Sequence, residues 1–465
     1  MNIKHFDTEI DLEQPFKNCQ LEREDYAFVL TNIIESYSDG FVLAINNKWG
    51  TGKTTFVKMW QQQLKNEEFQ TIYFNAWEND FEDNPLTAII GELKTITNSK
   101  DDKFKKIVKS AAKLSKNIAP AIAKAMLNKY LDTEILVEAI SESVKAAGEI
   151  FEEEVNEYAQ RKKSILDFRN DLEKFIKQET SDKPLIFIID ELDRCRPNYA
   201  VSLLEQVKHF FNVKGIVFVL SIDKEQLGNA ICGVYGSEKI DSAEYLKRFI
   251  DLEYSIPEPS SGKYFKYLYN YFDYDSFFNS TERIRHYSLQ YDKENFISIC
   301  KILYKHCNLR QLEKMMSATR LALRALNYNS YLIPIFFAFL IYIKFIHPEY
   351  YNNIRQKKLS LDDMQNEFYE IIKDYLNKDN ERYFIEIEAL LLTLFQNFIS
   401  EIRSFDKIFV YNRTTLENEL KIDSKINNQL LLQYYSTGGH GFSRIFELSL
   451  EYFLKKIELT EHFKV

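Results

Sequence analysis

Backbone breakers are what this chain has least of. Its 465 residues include 13 glycines and 9 prolines, where average usage would give roughly 33 and 23. That shortage excludes a loop-rich or collagen-like chain and favours long helices. Cysteine is scarce too. Five scattered thiols are too few for a disulfide frame in a chain of this size. Cys300 and Cys307 lie seven apart with His306 between them, but no second ligand pair at zinc spacing accompanies them, so buried free thiols are expected. The longest apolar run, residues 331–343, contains Pro334 and stops at Lys344. A membrane span needs about 20 residues, so this run reads as a buried core helix and no transmembrane span is expected. Residues 1–16 are acidic and polar, unlike a signal peptide, and a reducing cytoplasm is the expected setting. An excess of positive charge is also missing. Lys and Arg total 60 against 69 Asp and Glu, a net charge of -9, so the chain as a whole does not favour free nucleic acid, although a local basic patch could.

What is present is ordinary globular material, 45% hydrophobic and 28% charged, with 36 Phe and 29 Tyr to build thick aromatic cores. A helical pattern runs from about Leu21 to Ser36. Four short continuous apolar runs, residues 41–45, 71–74, 185–189 and 216–220, suit strands buried on both faces. Helical patterns separate them, which suggests a parallel sheet wrapped by helices. Residues 99–181 form a helical insertion between the second and third strands. Its charge is split: residues 103–131 hold eight lysines and no acid, and residues 132–157 hold nine acids and one lysine, Lys145. Two antiparallel helices of opposed charge are one reading. A basic arm from Lys103 to Lys129 for anionic lipid or nucleic acid is the other. After about Pro259 no convincing buried strand remains. The expected organisation is a core over residues 1–260, a helical lid-like domain over 261–350 and a C-terminal helical domain over 351–465. The glycine-rich stretch 436–441 follows no strand and reads as a loop.

The strongest signal is Asn47-Lys48-Trp49-Gly50-Thr51-Gly52-Lys53-Thr54-Thr55, directly after the first strand and before a helical pattern. That is the context of a phosphate-binding loop. Its glycines let backbone N–H groups wrap a phosphate, and the helix N-terminus adds the positive end of its dipole. Lys53 is expected on the β- and γ-phosphates and the Thr54 hydroxyl on Mg²⁺. Asn47 stands where the pattern G-x-x-x-x-G-K-[ST] has its first glycine. Asn tolerates a left-handed backbone, so the turn is expected to survive there. The third strand ends in Asp190 and Glu191, the arrangement that places one carboxylate on Mg²⁺ and another on the attacking water. Arg194, beside these acids, is either a structural ion pair or a γ-phosphate sensor. At the end of the fourth strand, Ser221 and Asp223 either sense γ-phosphate or cap the next helix. No Asn-Lys-x-Asp string follows a strand, so ATP is favoured over GTP.

Together these residues resemble the KAP family of P-loop NTPases. The likeness is carried by Lys48 to Thr54 with its tryptophan, by Asn75-Ala76-Trp77, by Ile189-Asp190-Glu191-Leu192-Asp193-Arg194-Cys195, by Ser221-Ile222-Asp223-Lys224, and by Arg248 and Asn308-Leu309-Arg310 further on. It covers about residues 5–350. The resemblance implies an α/β fold: a parallel-sheet P-loop NTPase core of the additional-strand, AAA/STAND-like kind, with a helical insertion and a large all-α C-terminal part. It places ATP and Mg²⁺ on Asn47, Trp49, Gly50, Thr51, Gly52, Lys53, Thr54, Thr55, Asp190 and Ser221. Glu191 becomes the base, with Arg248 and Arg310 as candidates for the γ-phosphate, in cis or from a neighbouring subunit. An ordinary surface or salt-bridged arginine is the alternative for each. Asn75 and Trp77 are read as packing or positioning the loop, with Trp77 as plain core the simpler reading. The implied activity is Mg-dependent ATP hydrolysis coupled to conformational change, in phage or plasmid defence, with a homo-oligomer and a partner effector protein. The alternative is a nucleotide-gated scaffold that turns ATP over slowly and presents its helical regions to a partner.

Overall fold

The structure is a computed structural model that describes residues 8–37, 39–82, 84–97, 102–116, 150–180, 182–237, 239–258, 260–400, 408–412, 417–436 and 448–458. Two compact units emerge, one spanning Asp7–Glu258 and the other including Pro259–Val465.

The first unit is built on five parallel strands: β1 (Val42–Asn46), β2 (Thr71–Asn75), β3 (Leu185–Asp190), β4 (Ile216–Ile222) and β5 (Leu252–Tyr254). Their spatial order is β2-β3-β4-β1-β5, so β4 lies between the strand before the glycine loop and the strand that ends in carboxylates. Successive side chains on a strand face opposite sides, and here both sides are buried. Leu185, Phe187 and Ile189 belong to one core, while Ile186 and Ile188 belong to the other. Helices α1 (Glu24–Ser36) and α2 (Lys53–Asn66) cover the second face with Leu30, Ile34, Phe56 and Trp60. The opposite face carries α3 (Pro85–Leu93), α4 (Asp102–Lys116), α5 (Ile150–Glu179), α6 (Pro197–Phe210) and α7 (Lys224–Tyr235), with the short α8 (Ser242–Leu246) before β5.

Local chemistry sets the helix ends. Asn84 accepts from the Leu86 N–H, and Pro85 fills the first helical position of α3, where a missing donor costs nothing. Asp223 caps α7 through the Gln226 N–H. The basic helix α4 packs its apolar side, Phe104, Ile107, Val108 and Ala111, into the core. It meets the second half of α5, with Phe104 on Phe175 and Ser110 donating to Asp171 at 3.0 Å. The acidic partner stretch expected at 132–157, Lys124 and Lys129 lie outside the residues whose side chains are described.

The second unit is mainly helical: α9 (Ser261–Tyr271), α10 (Asp292–Leu303), α11 (Leu309–Arg324), α12 (Pro334–Ile346), α13 (Pro348–Arg355), α14 (Leu361–Ile372) and α15 (Glu381–Ile399), then α16 (Asn428–Ser436) and α17 (Leu450–Glu458). The apolar run forms the central helix α12, buried from Pro334 to Ile343 and packed on α10, α11 and α15. Among the described residues no helix is long and apolar enough to cross a membrane. One expectation is corrected. A short antiparallel ribbon, β6 (Phe409–Asn412) with β7 (Glu417–Leu420), interrupts the helices, so the C-terminal part is not wholly helical. β6 falls on a short apolar run, Ile408 to Tyr411, that the sequence reading passes over, while β7 is polar and alternates no apolar residues. Of the glycine-rich stretch 436–441, only Ser436, the last residue of α16, is among the described residues. The five cysteines are free, and no cluster of three or more His, Cys, Asp or Glu side chains placed to hold a metal ion by themselves occurs among the described residues.

Candidate functional site

The register of the sheet assembles the site. Asn75 pairs with Asp190, Asp190 with Ser221, and Ser221 with Ile45. One row across the carboxyl ends of four strands therefore holds the amide, the acid and the hydroxyl that sequence separates by up to 146 positions. Open parallel sheets place ligands at this edge.

The glycine loop follows β1. Gly50 and Gly52 have φ of 78° and 83°, a region that side chains disfavour, and Gly52 is the N-cap of α2. Thr51 ties the turn by donating to the Lys48 carbonyl at 2.9 Å. Asn47 behaves differently from expectation. It is not left-handed. Its N–H extends the β1–β4 ladder to the Ile222 carbonyl, and its side-chain amide bonds the backbone of Ile256 in both directions, at 2.6 and 3.0 Å. The residue in the glycine position is thus a bracket that fastens the loop to the chain leaving β5. Asn47→Gly restores the common pattern yet is expected to cost about 1.5–3 kcal/mol in urea unfolding, from two lost hydrogen bonds and added backbone freedom. An unchanged midpoint would mean that the bracket carries no stability.

Lys53 opens α2 with only 9% of its surface exposed. Its ammonium donates to the loop's own carbonyls at Asn47 and Lys48. Burial pulls its pKa down, while Asp193, Asp223 and Asp190 pull it up, and burial dominates. Trp49 spans the same acids. Its N–H donates to Asp223 at 3.1 Å and its indole N–H to Asp193. Asp193 is buried, and its carboxyl is pushed above the usual range by that burial, against the pull of the Trp49 bond. Asp223 therefore caps α7 and holds the loop at once, while Ser221, fully buried, leaves its hydroxyl without a partner among the described residues.

Asp190 is 1% exposed and accepts from the Tyr73 hydroxyl at 2.9 Å and the Glu191 N–H at 3.0 Å. Glu191 adopts a left-handed backbone, φ 61°, a strain that surrounding bonds must hold. Arg194 pairs with its carboxylate at 2.6 Å and Asn75 donates to it at 3.3 Å. Burial raises the Glu191 pKa, opposed by Arg194 and then Asn75. Trp77 is not core. It is half-exposed, with the Arg194 guanidinium 5.8 Å from its ring centre, because the Asn75 side-chain Oδ1 turns the chain outward by accepting the Trp77 and Glu78 N–H groups. Asn75 thus positions Glu191 rather than the glycine loop. Asp80, bonded to Arg196, fastens this turn to the start of α6.

Thr54 and Thr55 sit half-buried in the first turn of α2. Arg248 is exposed on the turn between α8 and β5, and no hydrogen bond or ion pair among the described residues links it to the loop. Arg310 belongs to the second unit, exposed in the first turn of α11 beside a capping box of Asn308 and Gln311. Lys103, Lys106 and Lys113 are exposed on α4. Sequence reasoning missed Tyr73, Asp193 and Arg23. Two of them had a signal: Asp193 lies inside a string that carries the family likeness, and Tyr73 is a polar tip two residues before the end of a buried strand.

A family model described as the KAP family P-loop domain matches residues 23–326. An uncharacterized protein of Methanocaldococcus jannaschii is similar to this chain, 28% identical over 174 residues, 33% of this chain and 90% of that protein. Among solved structures, the Aeropyrum pernix ORC2 protein in its ADPNP–ADP complexes is similar at 13% identity and a TM-score of 0.33, over 95% of this chain and 86% of that one. Drosophila ORC bound to DNA is similar at 15% identity and a TM-score of 0.30, over 92% and 97%.

Proposed function

Starting from the KAP family of P-loop NTPases, to which this chain belongs, we propose that the protein binds ATP with Mg²⁺ at the glycine loop and hydrolyses it. The observation that carries this reading is the convergence of Lys53, Asp190, Glu191 and the unpartnered Ser221 hydroxyl at one edge of the sheet, beside two left-handed glycines. These residues fit a magnesium–nucleotide complex. Thr54 and Asp190 would hold the metal, which supplies neutralising charge to the phosphates. Lys53 releases the loop carbonyls to take the β- and γ-phosphates. The amides of residues 48–53 and the positive end of α2 orient the phosphate chain. Ser221 donates its free hydroxyl toward the terminal phosphate. Glu191, once released from Arg194, orients a water and accepts its proton. Arg248 and Arg310 are proposed as further cations for the γ-phosphate. Coupling of hydrolysis to motion, self-assembly, a partner effector protein and a role in phage or plasmid defence extend the proposal on family likeness; nucleic-acid binding through Lys103 to Lys129 extends it on local charge alone.

The test is phosphate release from ATP by the purified chain. Turnover that requires Mg²⁺ and stops with EDTA is expected. Release indifferent to chelation would remove the Thr54 and Asp190 metal site from the account. A second reading, the slow nucleotide-gated scaffold, draws on one observation: Glu191 is tied by both Arg194 and Asn75. On that reading ATP binds with similar affinity but release stays at background.

A further inference from the structure

Arg23 stands just before α1 and is 2% exposed. Its Nη1 donates to the carbonyl of Gly52, the N-cap of α2, at 3.2 Å. Its Nη2 is buried and has no partner among the described residues. Among the described residues no carboxylate faces the group, and the titratable side chains that bear on it are Cys19 and Tyr26. Burial pulls the guanidinium pKa down to about 10. A buried cation without a counter-anion opposes folding, and an apolar side chain of similar length would oppose it less. The carbonyl does not need this arginine either, since Gly52 also accepts from the Phe56 N–H at 3.1 Å. The feature makes no sense as a staple.

It does make sense as half of an interaction. Gly52 is the last residue of the phosphate loop, and its peptide leads into Lys53. We infer that Arg23 is a positioning residue for a nucleotide's phosphate chain: its buried charge adds to the positive end of α2, acts through the Gly52 peptide, and is balanced when the polyphosphate arrives. This rests on the reading that the loop binds nucleotide. The arginine then lowers the stability of the empty protein and raises its affinity for an anion, a pairing of effects that a structural residue does not produce.

Two variants test it, Arg23→Met and Arg23→Lys, in the full chain. ADP and ATP affinities are measured by calorimetry, and thermal unfolding is measured without nucleotide. Arg23→Met is expected to bind both nucleotides about tenfold more weakly, while melting at the same temperature or about 2–4 °C higher. Arg23→Lys, which keeps the charge, is expected to restore most of the affinity. A methionine variant that melts lower assigns Arg23 a structural role and overturns the inference whatever its affinity. Unaltered nucleotide binding in that variant overturns it as well, provided the parent chain binds. A parent chain that binds neither ADP nor ATP, like its Lys53→Ala control, overturns the nucleotide reading and this inference with it.

Discussion

Glu191→Gln is expected to lower ATP turnover about 10²–10⁴-fold while leaving ATP binding intact. Glutamine keeps the size of the side chain and still accepts the Asn75 amide, but it cannot take a proton from water. It also surrenders the ion pair with Arg194. Lys53→Ala separates the roles further, because it removes the ammonium itself and should abolish binding and turnover together. The acidic limb of the pH profile gives an independent view of the same group. Burial raises the Glu191 pKa, and on the proposed mechanism the ionised form is the base. Turnover should therefore fall, on acidification, at a pH above the usual carboxylate value of about 4.3. Arg194→Ala removes the attraction that holds the carboxylate ionised, so that limb should move to higher pH. Full turnover in Glu191→Gln would sink the assignment of the base.

Phe187→Ala is expected to cost about 3–5 kcal/mol of stability. Phe187 lies at the middle of β3, 1% exposed, inside a chain of rings. Its ring centre is 6.4 Å from Phe74 on β2 and 5.3 Å from Phe218 on β4; Phe218 is 6.1 Å from Phe211, and Phe211 is 5.5 Å from Phe168 on α5. Removing it leaves a void bounded by three strands and a helix layer, which cannot collapse without shifting the strands themselves. The measurement is urea unfolding followed by tryptophan fluorescence. Trp49, Trp60 and Trp77 all fall within the first unit, so the signal reports that unit. A loss under about 1 kcal/mol would mean that the sheet repacks around the gap.

The strands that carry the site were legible because they are buried on both faces, and burial on both faces writes an unbroken apolar run. β5 wrote none. It is three residues long, with Leu252 and Glu253 exposed, and its place is set partly by Asp251, which accepts the Val42 N–H, and by the Asn47 bracket. The positions of the loop lysine and the Asp190–Glu191 pair, at a helix start and a strand end, were legible because each follows an apolar run at fixed spacing. The partners of those residues were not. Nothing in the string Asn75-Ala76-Trp77 tells that the amide faces Glu191 while the indole faces outward, since that depends on a turn closed by backbone N–H groups. Arg23 looks in sequence like any charged helix start. Only three-dimensional burial separates it from Glu24 beside it.

The row from Asn75 to Ile45 has a bearing on how such a chain can diversify. Between Asn75 and Leu185 the sequence departs from one strand and rejoins its immediate neighbour, and the pairing of β2 with β3 is fixed by its own ladder. The departing and returning arms, α4 and α5, lean on each other and on the outer layer. Insertions or exchanges made in the sequence between α4 and α5 are therefore expected to leave the row from Asn75 to Ile45 in register, which makes this connection the natural place for such a chain to vary.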